Sequence, residues 1–240
     1  MLATKNLLSI TLFSLVTCGL SAYSDEEVQL DVKNIHVPKG WDSNDKDVQV
    51  IVTGELPNTC YRRPYGEAKV VDNQVVIDMK ATKVDKKDTV CIMAVVPYMV
   101  SVELGQLNEG SYEVEINPHS SNKKISSLSI DTPSSNSIDN YSYANVTNLK
   151  RKGHSDKFTL EGVHPSSCMS IERVEVISNQ SDDTFSVLPI VKQVAPVCDR
   201  MIMPFTYDFE LPAKDKEEIV VHVRKIDGNA ANYSFKNNTK

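Results

Sequence analysis

The chain has 240 residues and carries 26 Lys and Arg against 32 Asp and Glu, a net charge of −6. That acidic balance excludes the general attraction to phosphate backbones that nucleic-acid binding requires. Eleven prolines, together with many Val, Ile, Ser, Thr and Asn residues, favour strands and turns over helices.

The chain opens on MLATKNLLSITLFSLVTCGLSAYSDEE, with one lysine, Lys5, and a largely apolar run from Leu7 to Leu20. A helix crossing a bilayer needs about 20 apolar residues, so this run is too short to span. A positive start, a short apolar stretch and the small residues Ala22 and Ser24 predict a signal peptide over residues 1–24, cleaved before Asp25. The mature chain is then secreted or periplasmic, with 25 basic and 32 acidic residues once Lys5 leaves the 26. Leu15-Val16-Thr17-Cys18 resembles a bacterial lipoprotein box, although Thr17 stands where a smaller residue is usual; a membrane contact is expected only if Cys18 is lipidated.

Next comes Asp42-Ser43-Asn44-Asp45-Lys46-Asp47, which has the look of a calcium loop. Lys46 occupies a ligand position and the glycine of an EF-hand is missing, so a solvated turn is predicted and no metal ligand is assigned. DVQVIVTG (47–54) alternates with the period of a half-buried strand. GELPNTCYRRPYG (54–66) follows, in which Tyr61, Arg62, Arg63 and Tyr65 form an aromatic, doubly basic turn behind Cys60. Tyrosine and arginine contribute most per residue at protein interfaces, so these four are the candidate binding residues. In AKVVDNQVVIDM (68–79) Asp72-Asn73 sits between two apolar runs and predicts a hairpin. SYEVEIN (111–117) and KKISSLSID (123–131) read as further strands. Pro133 and the Ser- and Asn-rich residues around it predict a linker over 133–139, between repeats at 25–132 and 140–240.

The second repeat echoes the first. GELPNTC (54–60) and GVHPSSC (162–168) place glycine, proline and cysteine at the same spacing. CIMAVVPYMVSVEL (91–104) aligns without a gap on CDRMIMPFTYDFEL (198–211), and VKNIHVPKG (32–40) echoes VTNLKRKG (146–153). RVEVISNQSDDTFSVLPIV (173–191) again reads strand, loop, strand, and NYSFKN (232–237) matches the closing strand of the first copy. Such order over four matches indicates a duplicated domain of about 100 residues. Short strands and no helical periodicity predict an all-β fold of two tandem immunoglobulin-like β-sandwiches. The immunoglobulin tryptophan between the cysteines is absent, since Trp41 precedes Cys60.

Four cysteines remain after cleavage, two per repeat at matching places, and an exported protein meets oxidising conditions. A nucleophile would need a histidine base and an orienting acid, and a metal site would need close pairs such as CxxC; neither pattern surrounds these cysteines. Duplication predicts Cys60–Cys91 and Cys168–Cys198 as intradomain disulfides. His164 in HPSS is expected at a turn position, NLKRKGHSDK (148–157) as a solvated basic loop, and the pairs Glu26-Glu27 and Glu217-Glu218 as exposed. Sequons at Asn140, Asn145, Asn179, Asn232 and Asn237 are expected to be silent in a bacterial chain.

GELPNTCY, a second cysteine and VELGQLNEGSYEVEIN together resemble small secreted bacterial β-domains of uncharacterised function, with a Gly-Pro-Cys turn and a closing Gly-x-Tyr strand. The resemblance covers most of the first copy and implies an exported sandwich fold with no particular activity. The expectation is a non-catalytic, cofactor-free protein of the bacterial envelope or secretome that binds a protein, glycan or surface component through its loops. The alternative is an exported inhibitor or scaffold of an envelope enzyme; a secreted hydrolase ranks last, because no acid, base and nucleophile can be named together.

Overall fold

The computed structural model describes residues 25–84, 89–213 and 215–237; the expected cleavage site and Cys18 lie outside them. The described residues form sixteen strands, one 3-10 turn at Ile226–Gly228 and no α-helix. The chain folds as two tandem β-sandwiches. In the first, one sheet contains β1 (Glu26–Gln29), β3 (Trp41–Asp42), β5 (Tyr61–Val71), β6 (Gln74–Lys83), β8 (Gly110–Ile116) and β9 (Lys124–Asp131). Its partner sheet is β2 (Asn34–His36), β4 (Val48–Leu56) and β7 (Val96–Gly105). In the second, β12 (Met169–Ser178), β13 (Thr184–Gln193), β15 (Glu218–Arg224) and β16 (Ala230–Lys236) face β10 (Asn145–Arg151), β11 (Lys157–His164) and β14 (Met203–Glu210).

The duplication is visible strand for strand. The order β5-β6-β8-β9 recurs as β12-β13-β15-β16, and β2-β4-β7 recurs as β10-β11-β14. Both copies carry a parallel pair in the same place, β6 with β8 and β13 with β15. Even β1 has a vestige: it pairs with Lys80–Lys83, and Ser142–Ala144 bonds the matching stretch of β13 around Ile190. The predicted hairpin closes on Asp72-Asn73, with Asp72 at a φ of 53°.

Structure also explains the repeated glycine. Gly54 pairs across the ladder with Tyr98, and Gly162 with Phe205. A Cβ at Gly54 would lie 2.5 Å from Tyr98 Cζ, and one at Gly162 would lie 2.6 Å from Phe205 Cζ and would also strike the Asn145 carbonyl. Each aromatic ring lies over a residue with no side chain, which conserves the Gly–aromatic pair within both copies. Gly162→Ala is expected to cost about 1–3 kcal/mol by overpacking, because the obstructing carbonyl is backbone and cannot rotate away; a urea unfolding midpoint equal to the parent's would contradict this.

Each sandwich has its own core. Val50 and Val52 of β4 meet Val75, Ile77 and Met79 of β6 in the first; Phe158 and Leu160 of β11 meet Phe185, Val187 and Val221 in the second. The alternate residues of β4 and β13 are buried too, contrary to the half-buried strand expected at 47–54. The cause is tertiary: the outer face of β2-β4-β7 packs on the outer face of β12-β13-β15-β16. His36 Nδ1 lies 3.0 Å from Thr184 Oγ1 and its Nε2 lies 3.2 Å from Thr53 Oγ1. Asn232 donates to Gln49 Oε1 and to Ser101 Oγ, and the Lys39 amide donates to Ser186 Oγ. Four sheets are therefore stacked, with a polar seam at the middle.

The two sandwiches run in opposite senses across this seam. Thr53, near the end of β4, sits by Thr184 at the start of β13; Gln49, near the start of β4, sits by Asn232, which pairs with His222 at the level of Ser186. The end of β4 and the end of β13 therefore point to opposite ends of the molecule.

Candidate binding surfaces

Both predicted disulfides are present, Cys60–Cys91 and Cys168–Cys198, with Cα separations of 5.2 and 5.3 Å. Cys60 and Cys168 are buried, which agrees with a structural role. Disulfides of this kind are consistent with an extracellular or periplasmic location.

The four residues behind Cys60 do not form the turn expected. They open β5, and the ladder slips between Arg62 and Tyr65, with Arg63 at a φ of 50°. Tyr61 packs against the first core. Tyr65 donates to Glu27 Oε1 at 2.7 Å, and this bond to a carboxylate holds the phenol's pKa above its usual value. Of the four, only Arg62 and Arg63 are exposed. In the second copy Arg173 is engaged, pairing with Glu172 and Glu175 and lying over the Tyr141 ring.

The larger exposed surface was not singled out from the sequence. Residues 89–95, between β6 and β7, leave Val90 at 85 %, Ile92 at 64 % and Met93 at 84 % exposure, with Val95 exposed beside them. The matching segment 194–202 exposes Val194, Val197, Met201 and Ile202. Each segment is anchored by its disulfide, and the first is also pinned where the Thr59 amide meets the Ile92 carbonyl and Thr59 Oγ1 accepts from the Ile92 amide. The available signal was an unbroken uncharged run, VCIMAVVPYMVSV, lacking the polar alternation of its neighbours. The antiparallel stacking sets these two apolar tips at opposite ends of the molecule.

Asp42–Asp47 does turn at Ser43-Asn44, but Asp42 and Asp45 are buried while Lys46 is exposed, which corrects the expected solvation. Asp45 and Asp139 both bind the Arg224 guanidinium, which lies 4.4 Å above the Trp41 ring. Desolvation pushes both carboxyls above their usual range, against the pull of Arg224. His222 is buried beside Trp41, and desolvation takes its pKa down to about 4. Trp41 Nε1, His222 Nε2 and Arg224 Nε have no hydrogen-bond partner among the described residues. Across the seam, hydrogen bonds from His36, Thr184 and Asn179 outweigh desolvation and hold Asp183 down to about 2. No group of three His, Cys, Asp or Glu placed to hold a metal occurs among the described residues.

A cleft of about 470 Å³ lies between residues 137–145 and His164, Met169, Val191 and Ile226. His164 is not on a turn: it ends β11, buried and stacked on Phe205 at 4.5 Å, and burial lowers its pKa. Asp139 at the cleft wall binds Arg224 and accepts from the Gly228 amide. The 148–157 cluster is a strand–turn–strand hairpin rather than a loop, with Lys150 on Glu161 and Lys152 on Asp208. The sequon asparagines have structural work. Asn232 bridges the seam, Asn179 caps its turn by accepting from the Asp183 and Thr184 amides, Asn237 ties Arg151 to Ala213, and Asn140 donates to Asp42.

No curated protein and no solved structure matches the chain. Residues 50–126, from β4 to the start of β9, match the family model of the ORF11 beta-sandwich domain, so the first repeat is similar to that domain.

Proposed function

We propose that the chain is an exported, non-catalytic binding protein of a bacterial envelope or secretome, which holds partners at its two apolar tips. The observation that carries this reading is the recurrence of a disulfide-anchored, exposed apolar segment in both copies. Soluble proteins seldom expose contiguous apolar surface without a use for it. A segment fixed by covalent and hydrogen bonds loses little entropy when it is covered. Opposite placement of the tips favours a scaffold that bridges two partners over an inhibitor that blocks one. The expected leader over residues 1–24 would deliver it to the periplasm or medium, with lipidation at Cys18 as the membrane-bound variant.

Ile92→Asp/Met93→Asp and Met201→Asp/Ile202→Asp test the two tips separately. All four residues are exposed, so each double variant is expected to unfold within about 0.5 kcal/mol of the parent. Each should lose a different set of envelope components recovered by crosslinking in the native host. Identical recovery from parent and both variants would remove the tips from the binding surface.

A further inference from the structure

The tip of the first repeat differs from the second, where the exposed Asp199 and Arg200 interrupt the apolar segment. Val90, Ile92, Met93 and Val95 project from the first tip, and no charged residue occurs from Thr89 to Val102. Arg62 and Arg63 stand two and three residues beyond the disulfide, exposed and without an ion pair among the described residues. Among the described carboxylates nearby, Glu26 pairs with Lys83 and Glu27 with Lys80 and Tyr65, while Asp25, Asp31 and Glu55 are exposed without an ion pair among the described residues. The chain also enters at this end. Glu26 pairs with Lys83, and the amide of Val84 donates to the Cys60 carbonyl, so Asp25 begins beside the apolar tip.

We propose that this first tip rests on an anionic lipid bilayer, its valine, isoleucine and methionine side chains entering the headgroup–acyl boundary while Arg62 and Arg63 meet lipid phosphates. The proposal deepens the binding reading above by naming the partner of one tip. An apolar segment flanked by cations is the chemistry that interfacial binding uses, since apolar burial and attraction to anionic headgroups add. Chain geometry agrees: any hold on the membrane within Leu7–Leu20, or an acyl chain at Cys18, would keep this tip at the bilayer, because the seven residues from Cys18 to Asp25 reach at most about 25 Å. Tip-to-tip pairing of two copies would instead set Arg62 and Arg63 against their own equivalents, a like-charge contact. The second tip would then face away from the membrane.

The test uses protein exported from the full-length gene and vesicles of phosphatidylglycerol and phosphatidylethanolamine, compared with pure phosphatidylcholine. The emission of Met93→Trp should shift to the blue on the anionic vesicles, over a constant background from buried Trp41, and it reports loop insertion even if an acyl chain holds the protein there. Ile92→Asp/Met93→Asp should weaken vesicle binding tenfold or more in protein lacking an acyl chain. Arg62→Ala/Arg63→Ala should reduce the preference for anionic lipid several-fold and flatten its salt dependence. Val71→Asp, at an exposed apolar residue at the far end of β5 and in neither tip, should leave vesicle binding unchanged. An unshifted emission, or vesicle binding indifferent to the first-tip variants, would overturn the proposal. Tip-dependent crosslinking to a protein without any lipid binding would overturn it while leaving the binding reading intact, and so would tip-dependent self-association on sizing.

Discussion

Arg224→Ala is expected to destabilise the protein by about 3–5 kcal/mol at pH 7, since it strands two carboxylates in a buried site. For a chain of this size that corresponds to roughly 10 °C in the thermal midpoint. The loss should depend on pH with a definite sign. Burial raises Asp45 and Asp139 above 3.8 in the folded state even with Arg224 present. An acid whose folded pKa is raised holds its proton better when folded, so its contribution to stability declines as pH rises from 3.8 through the folded value. Removing the guanidinium raises those values further. The deficit should therefore be full at pH 7 and shrink toward pH 4. His222 works the other way in the parent: its imidazole takes up a proton on unfolding, so stability is lost as pH falls from 6.5 toward about 4. Measuring parent and variant at each pH keeps that contribution largely common to both. A second substitution, Asp45→Asn, in the Arg224→Ala background should restore part of the loss at pH 7, because the carboxylate that was stranded is gone. A deficit independent of pH would show that the two carboxyls are not the cause.

Cys60→Ala/Cys91→Ala should cost about 3–4 kcal/mol, the entropy of a closed loop spanning 31 residues. The effect should extend beyond stability. The disulfide holds residues 89–95 against Thr59–Cys60, so without it the tip must be ordered on binding, and affinity at this end should fall while the second tip keeps its own. Urea unfolding with crosslinking at each tip checks both parts. Equal loss of binding at the two ends would mean that the seam transmits the damage, and unchanged binding at the first tip would mean that the Thr59–Ile92 hydrogen bonds suffice to hold it.

Spacing and patterning along the chain specified the architecture of each repeat. Repeated Gly-x-x-Pro-x-x-Cys, the second cysteine 31 or 30 residues on, and the aligned Tyr98 and Phe205 are local or covalent features, so spacing alone placed the disulfides and the duplicated strands. The Asp72-Asn73 hairpin was legible for the same reason, since a two-residue turn is decided by the backbone freedom of its own residues. The stacking of the repeats was not. Gln49, Thr53, Ser186 and Asn232 look in sequence like the solvent side of half-buried strands, because hydrogen-bonded burial against another domain and exposure to water select the same polar residue types. The run Asp42–Asp47 looked solvated because Arg224, which accounts for Asp45, lies 179 residues away. Tyr61 and Tyr65 looked available, yet one packs on the core and the other meets Glu27 on β1, a strand whose register no local pattern specifies. The uncharged run after β6 gave no sign of its exposure for the converse reason: hydrophobicity alone does not say whether a residue has a partner sheet. Packing of one repeat on the other covered the polar faces at the seam and left the apolar tips exposed at opposite ends, which no local pattern could specify.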